Sequence, residues 1–200
     1  MKKTFALLFT AFILFSACKK SSDSSSISTS TDYYYEATID GVVYKETIPK
    51  NTTDVKLLAG SGTHTLGDDA WFGSSIENSH TGGTLMSMSK GVLHSFSTIT
   101  ENRFKAFFPN ASFGFAPEGS SLGVDGFEIG WTDKNGKTWT TQLGTHNQSG
   151  STIAIISTQE ERDDLGNLFI KATIKFNCKF YDGVGNVKAA NGTFVGIFSY

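Results

Sequence analysis

Cysteine is almost absent from this chain: there are two in 200 residues, Cys18 and Cys178. A scaffold held by several disulfides, common in small exported domains, is therefore excluded. Proline is also scarce, at three residues, so few positions interrupt a strand ladder. No window sustains apolar residues at i, i+3, i+4 and i+7, which argues against a helical bundle. No stretch reaches the roughly 20 apolar residues that a membrane-spanning helix needs. The formal net charge is −2 with no basic cluster, so nucleic acid is not an expected partner. No repeat occurs at solenoid or propeller periods. The histidines, His64, His80, His94 and His146, are scattered and form no HExxH or i, i+2 pair. His64 with Asp68 and Asp69, or Glu160, Glu161, Asp163 and Asp164, could offer oxygens to a cation, but neither set has EF-hand spacing. No metal and no cofactor is expected.

The amino terminus carries the clearest signal. Met1-Lys2-Lys3 precedes an apolar run from Phe5 to Phe15 that only Thr10 interrupts, and Ser16-Ala17-Cys18 follows. About 11 residues at ~1.5 Å each cannot cross a ~30 Å hydrocarbon core. A basic flank, a short apolar run and small residues match a cleaved export signal instead. The arrangement resembles a bacterial lipoprotein signal, in which residues 1–17 are removed and Cys18 is acylated as the first mature residue. The resemblance implies a membrane partner held through the lipid anchor at Cys18. Lys19 at the second mature position departs from the inner-membrane retention pattern of enteric-type bacteria, and this favours the outer membrane. Only Asp23 is acidic among the following residues, so both periplasmic and cell-surface display fit.

Residues 18–32 continue the lipidated cysteine into a Ser- and Thr-rich stretch with one apolar residue, Ile27. Such a segment buries too little surface to offset its ordering entropy and reads as a flexible tether. Its reach is roughly 20 Å. Residues 33–200 then form a single expected domain, large enough for a real core.

In that domain apolar and polar residues alternate with period two. Ala172, Ile174, Phe176, Cys178 and Phe180 share one face, while Lys171, Thr173, Lys175, Asn177 and Lys179 share the other. This parity predicts a buried, free Cys178 thiol. Asp40-Gly41 and Asp133-Lys134-Asn135-Gly136 read as hairpin turns, the second placing Trp131 opposite Trp139 and Asp133 opposite Lys137. Asp182-Gly183 and Asn191-Gly192 mark further turns. Strands are expected near 33–39, 42–48, 54–60, 70–77, 84–89, 103–108, 112–116, 125–132, 137–143, 151–158, 167–181 and 186–199, the last broken at Asn191-Gly192. The fold class is all-β, an antiparallel β-sandwich, with a lipocalin-like β-barrel as the alternative.

Gly119-Ser120-Ser121-Leu122-Gly123 matches the G-x-S-x-G pattern of serine hydrolases. The elbow needs a strand before the serine and a helix after it. Here the following residues, Val124 to Ile129, read as a turn and a strand, so no catalytic residue is expected. Flat aromatic rings stack on sugar faces, and the candidates are Tyr33, Tyr34, Tyr35, Trp71, Trp131 and Trp139. Trp131 shares parity with Phe127 and Ile129, and Trp139 with Leu143, so both read as core. Tyr33, Tyr34 and Trp71 are left as candidate ligand-binding residues.

The opening Tyr35-Glu36-Ala37-Thr38-Ile39-Asp40-Gly41 and the ending Phe176 to Asp182, followed by Asn191-Gly192-Thr193-Phe194, resemble β-rich lipoproteins of Bacteroidota of unknown function. That resemblance carries over no catalytic residues. The expected role is a non-catalytic binding or accessory module of the cell envelope, with a glycan or an envelope protein as partner. The alternatives are a hydrolase of glycans or esters, using Ser121 or the carboxylates Glu118, Asp125 and Glu128, and a structural assembly protein that pairs through an open sheet edge.

Overall fold

The computed structural model of the chain describes residues 33–48, 55–63, 68–78, 80, 83–117 and 124–200. The expected signal peptide, Cys18 and the expected tether of residues 18–32 lie outside the described residues. The fold is all-β and nearly all antiparallel. Its strands are β1 (Tyr33–Ile39), β2 (Val42–Ile48), β3 (Val55–Thr63), β4 (Ala70–Asn78), β5 (Thr84–Leu93), β6 (Ser112–Phe113), β7 (Gly126–Thr132), β8 (Thr138–Thr140), β9 (Thr152–Arg162), β10 (Leu168–Tyr181) and β11 (Val187–Ser199). One short helix, α1 (Glu101–Ala106), follows a single 3₁₀ turn at Phe96–Thr98.

The hydrogen-bonded order is β2-β1-β11-β10-β8-β7-β5-β4-β3, with β9 also on β10 and β6 on β9. The join between β10 and β8 is narrow, a single pair, Tyr181 with Thr140. The sheet curls there, and β4 comes back over β11, where the Ile197 amide donates to the Ser74 hydroxyl at 3.1 Å. β2 and β3 end the order without pairing to each other, so among the described residues the sheet stays open rather than closing as a barrel.

The period-two alternation accounts for this architecture. On β10, Leu168, Ile170, Ala172, Ile174, Phe176, Cys178 and Phe180 are all buried, while Lys175 and Asn177 between them are exposed. Phe72 of β4 meets the rings of Phe104, Phe107 and Phe108 at 5.0–6.1 Å, and Phe108 meets Phe198 of β11 at 4.8 Å. Trp131 of β7 lies between Tyr44 of β2 and Phe180 of β10. One aromatic core therefore joins the strands on either side of the curl.

Three hairpins share one turn device. Asp133, Asp163 and Asp182 each accept, through Oδ1, from the backbone amides two and four residues on. In the first of them Gly136 takes a positive φ of 78° and closes the turn on the Asp133 carbonyl at 2.9 Å. An L side chain would be strained there. The expected registers hold: Trp131 faces Trp139, and the Asp133 amide donates to the Lys137 carbonyl.

Four expectations are corrected. Residues 103–108 are not a strand, because α1 covers 101–106. Thr100 caps it by accepting from the Arg103 amide, and helical spacing brings Phe104 and Phe108 together against Phe72, which strand alternation would not achieve for Phe107 as well. β11 is not broken at Asn191-Gly192. It runs through with Gly192 facing Ala37 on one side and Phe176 on the other, and the missing Cβ is what lets β1 approach, since a Cβ there would lie 2.4 Å from the Glu36 carbonyl oxygen. The region 137–143 shortens to β8, and Leu143 is exposed rather than sharing the Trp139 core position. The region 112–116 shortens to the two residues of β6.

Cys178 is 2% exposed, and burial pushes its thiol well above the ordinary range. We expect no reaction with a thiol reagent in the native protein and stoichiometric reaction after denaturation. Fast labelling of the folded chain would contradict the packing of β10.

Candidate functional site

The candidate site lies on the solvent side of the β3-β4-β5-β7-β8 layer. The registers align outward-facing side chains in rows across the strands. One row runs Gly60, Gly73, Ser89, Glu128, and the next runs Leu58, Ser75, Ser87, Gly130, Thr140. Apart from Leu58 and Glu128 at their ends, these rows consist of glycine and hydroxyl residues where an outer strand face ordinarily carries long polar side chains. The result is a trough made of two depressions, of about 700 and about 330 Å³, which share Thr84 and Ser87.

Trp71 forms one end. Its outward position on β4 puts the indole over two glycines, Gly62 across the strand pair and Gly73 two residues along. A Cβ on Gly62 would lie 2.6 Å from the indole nitrogen, and one on Gly73 would lie 3.1 Å from Cζ3. Both glycines are needed for the ring to rest on the backbone. The ring is half-buried and lines the smaller depression.

Glu128 lies two strands away, opposite Ser89. At ~4.8 Å per strand, about 10 Å separates it from the Gly73 position. Among the described residues its carboxylate has no hydrogen bond or ion pair, and neither do the hydroxyls of Ser87 and Ser89. Burial raises the Glu128 pKa above the ordinary glutamate value. Ser75 donates to Glu77 at 3.2 Å, and Glu77 is paired with Lys56 at 3.5 Å, so that end of the trough is neutralised.

The tyrosines do not join this site. Tyr34 lines a separate depression with Glu36, Thr38 and Thr193 on β1 and β11. Tyr33 donates its hydroxyl to Glu161 and carries Lys171 over its ring at 5.1 Å. Of the three expected ligand-binding residues, only Trp71 lies in the trough, because β1 belongs to the other side of the curl. The hydrolase alternative fares similarly. Ser121 and Glu118 lie outside the described residues. Asp125 reaches Lys90 at 3.5 Å, a core-side lysine only 3% exposed whose Nζ sits 3.5 Å over the Phe107 ring and whose pKa burial pushes down. Glu128 faces the other way, so Asp125 and Glu128 do not converge.

Among the described residues no group of three or more His, Cys, Asp or Glu is placed to hold a metal ion. His64 lies outside them. Asp68 accepts from the Ser97 amide at 2.6 Å, and Asp69 is bound to His94 at 2.8 Å. No helix among them is long and apolar enough to cross a membrane. No family model, no curated protein and no solved structure matches this chain.

Most of the trough escaped sequence reasoning. Its signal was present as Gly60-x-Gly62, Trp71-x-Gly73-x-Ser75, Ser87-x-Ser89 and Glu128-x-Gly130-x-Thr132, where the outward parity is small or hydroxylated. Only pairing shows that these four stretches lie side by side.

An unpartnered, half-buried carboxylate weakens the fold. Because the folded pKa is raised, the folded chain keeps the proton in a window where the unfolded chain has lost it. Stability therefore falls as pH rises from the ordinary glutamate value through the raised one. We expect Glu128→Gln to be more stable at pH 7 by on the order of 0.5–1 kcal/mol, allowing for solvent on its open side. This amounts to about 2 °C in Tm, and the difference should vanish below about pH 4. A variant less stable than wild type at pH 7 in thermal melts would show that Glu128 is held by a partner.

Proposed function

We propose that this chain is an outer-membrane lipoprotein, anchored through acylated Cys18, whose β-domain is a non-catalytic binding module of the cell envelope. The trough is its binding surface. The observation that carries this reading is the Trp71 indole, laid on Gly62 and Gly73 beside hydroxyls and a carboxylate that the described residues leave unpartnered. A fold gains little from such an arrangement. The glycines forgo side-chain packing, Trp71 keeps part of its apolar surface in water, and Glu128 costs stability. Sites of this kind are retained where a ligand completes them.

The test is retention of the full chain on isolated cell-envelope material. Wild type is expected to be retained, and Trp71→Ala to elute while keeping its fold by circular dichroism. Equal retention of both proteins would remove the trough from the reading. Hydrolysis of ester or glycoside substrates that disappears in Ser121→Ala would replace the binding module with an enzyme.

A further inference from the structure

We infer that the trough takes an uncharged oligosaccharide lying across the strands, one pyranose ring stacked on Trp71 and a later ring donating its hydroxyls to Glu128. The inference rests on the binding-module reading and names its ligand class.

Three features of the trough point to a saccharide. The indole lies on glycine backbone and offers a broad flat surface rather than a pocket, which suits the apolar face of a sugar ring and its C–H groups. The floor between the two ends presents the Ser87 and Ser89 hydroxyls, which donate and accept as sugar hydroxyls do. Glu128, ionised, only accepts, and a vicinal diol supplies two donors to its two oxygens. The span of about 10 Å from the Gly73 position to Glu128 is the length of a disaccharide, not of a single ring.

The same features argue against other ligands. A peptide strand would seek a sheet edge, where backbone amides and carbonyls are unpaired. The floor between Trp71 and Glu128 crosses β4, β5 and β7, each paired on both sides, and the trough reaches the end strand β3 only at its Leu58–Gly60 margin. An acidic glycan would bring its carboxylate towards Glu128, and like charges across a partly desolvated site repel. Among the described residues, Lys134 is the one basic residue lining the larger depression, and it stands on the exposed β7–β8 turn. Among the described residues, the smaller depression has no basic residue in its lining.

The test uses intrinsic fluorescence and calorimetry on the full chain. Trp131 and Trp139 are buried, at 2% and 5% exposure, so a ring stacking on the protein should change the emission of Trp71. The probes are neutral gluco-, xylo- and manno-oligosaccharides, oligogalacturonates of matched length, and an unrelated extended peptide. The expected result is saturable binding of at least one neutral series, with the oligogalacturonates at least tenfold weaker. Trp71→Ala should weaken binding by about thirtyfold or more. Glu128→Gln should weaken it by about tenfold, with the fold at least as stable as wild type. Glu128→Lys should narrow or reverse the preference against the oligogalacturonates.

Binding of the peptide alone, or of oligogalacturonate alone, would overturn the assignment of an uncharged oligosaccharide and leave the binding-module reading standing. Retention on envelope material without binding of any probe would do the same. Loss of both retention and probe binding would overturn the two together. Neutral-sugar binding that survives Trp71→Ala and Glu128→Gln would place the sugar elsewhere and overturn the inference.

Discussion

Phe72→Ala is expected to destabilise the protein by about 3–5 kcal/mol, the usual cost of deleting a buried aromatic ring. At this chain length that corresponds to a fall in Tm of about 10 °C. Phe72 is 0% exposed and packs edge-on or tilted against Phe96, Phe104, Phe107 and Phe108. Three of those rings belong to α1 or the turn just after it, and Phe108 reaches on to Phe198 of β11. The substitution therefore opens a cavity where a helix, the β4 strand and the opposing β11 strand meet. The adjacent residue is the control. Trp71 is a larger ring, but it points to the trough, and Trp71→Ala is expected to cost about 1 kcal/mol at most, because one of its faces is already wet. Urea denaturation of both variants checks the pair. Similar losses would mean that β4 does not separate core from trough as described.

Cys18→Ser is expected to release the protein from membranes and to abolish labelling with fatty acid. Each buried methylene contributes ~0.8 kcal/mol, and one acyl chain alone anchors only marginally. On the proposed reading this chain carries the two or three acyl chains of a bacterial lipoprotein, which would make attachment lasting and would be lost with the acceptor sulfur. Lys19-Lys20 is too short a basic pair to hold the chain on anionic lipid by itself. Membrane fractionation of the full chain and its Ser variant reads the effect directly. If the variant still sediments with the outer membrane, attachment occurs by another route and the anchor assignment fails.

Glu128 and Cys178 show how far strand parity carries. Both lie on strands whose alternation was legible, β7 and β10, and for Cys178 that alternation also predicted its environment, buried among Ile174, Phe176 and Phe180. For Glu128 it predicted only that the side chain points outward. Whether an outward residue stands in open water or on the wall of a trough depends on its neighbours two strands away, and those are set by pairing.

The amino-acid sequence by itself determined the all-β class, β1 and β2 to the residue, the Asp133–Gly136 turn and the register of Trp131 against Trp139. All of these are local: a period of two, a turn residue that tolerates positive φ, a short separation along the chain. The tertiary structure alone decided the rest. It placed β11 between β1 and β10, and it carried β11 unbroken through Asn191-Gly192, where the glycine serves close approach and not a turn. It made a helix of residues 101–106, because Phe104, Phe107 and Phe108 gain more by surrounding Phe72 than by alternating along a strand. It separated Tyr33 and Tyr34 from Trp71, and it brought Trp71, Ser89 and Glu128 onto one face. These outcomes depend on contacts between residues far apart in the chain, whose energies come from shared burial and strand pairing and so leave no periodic trace in any single segment.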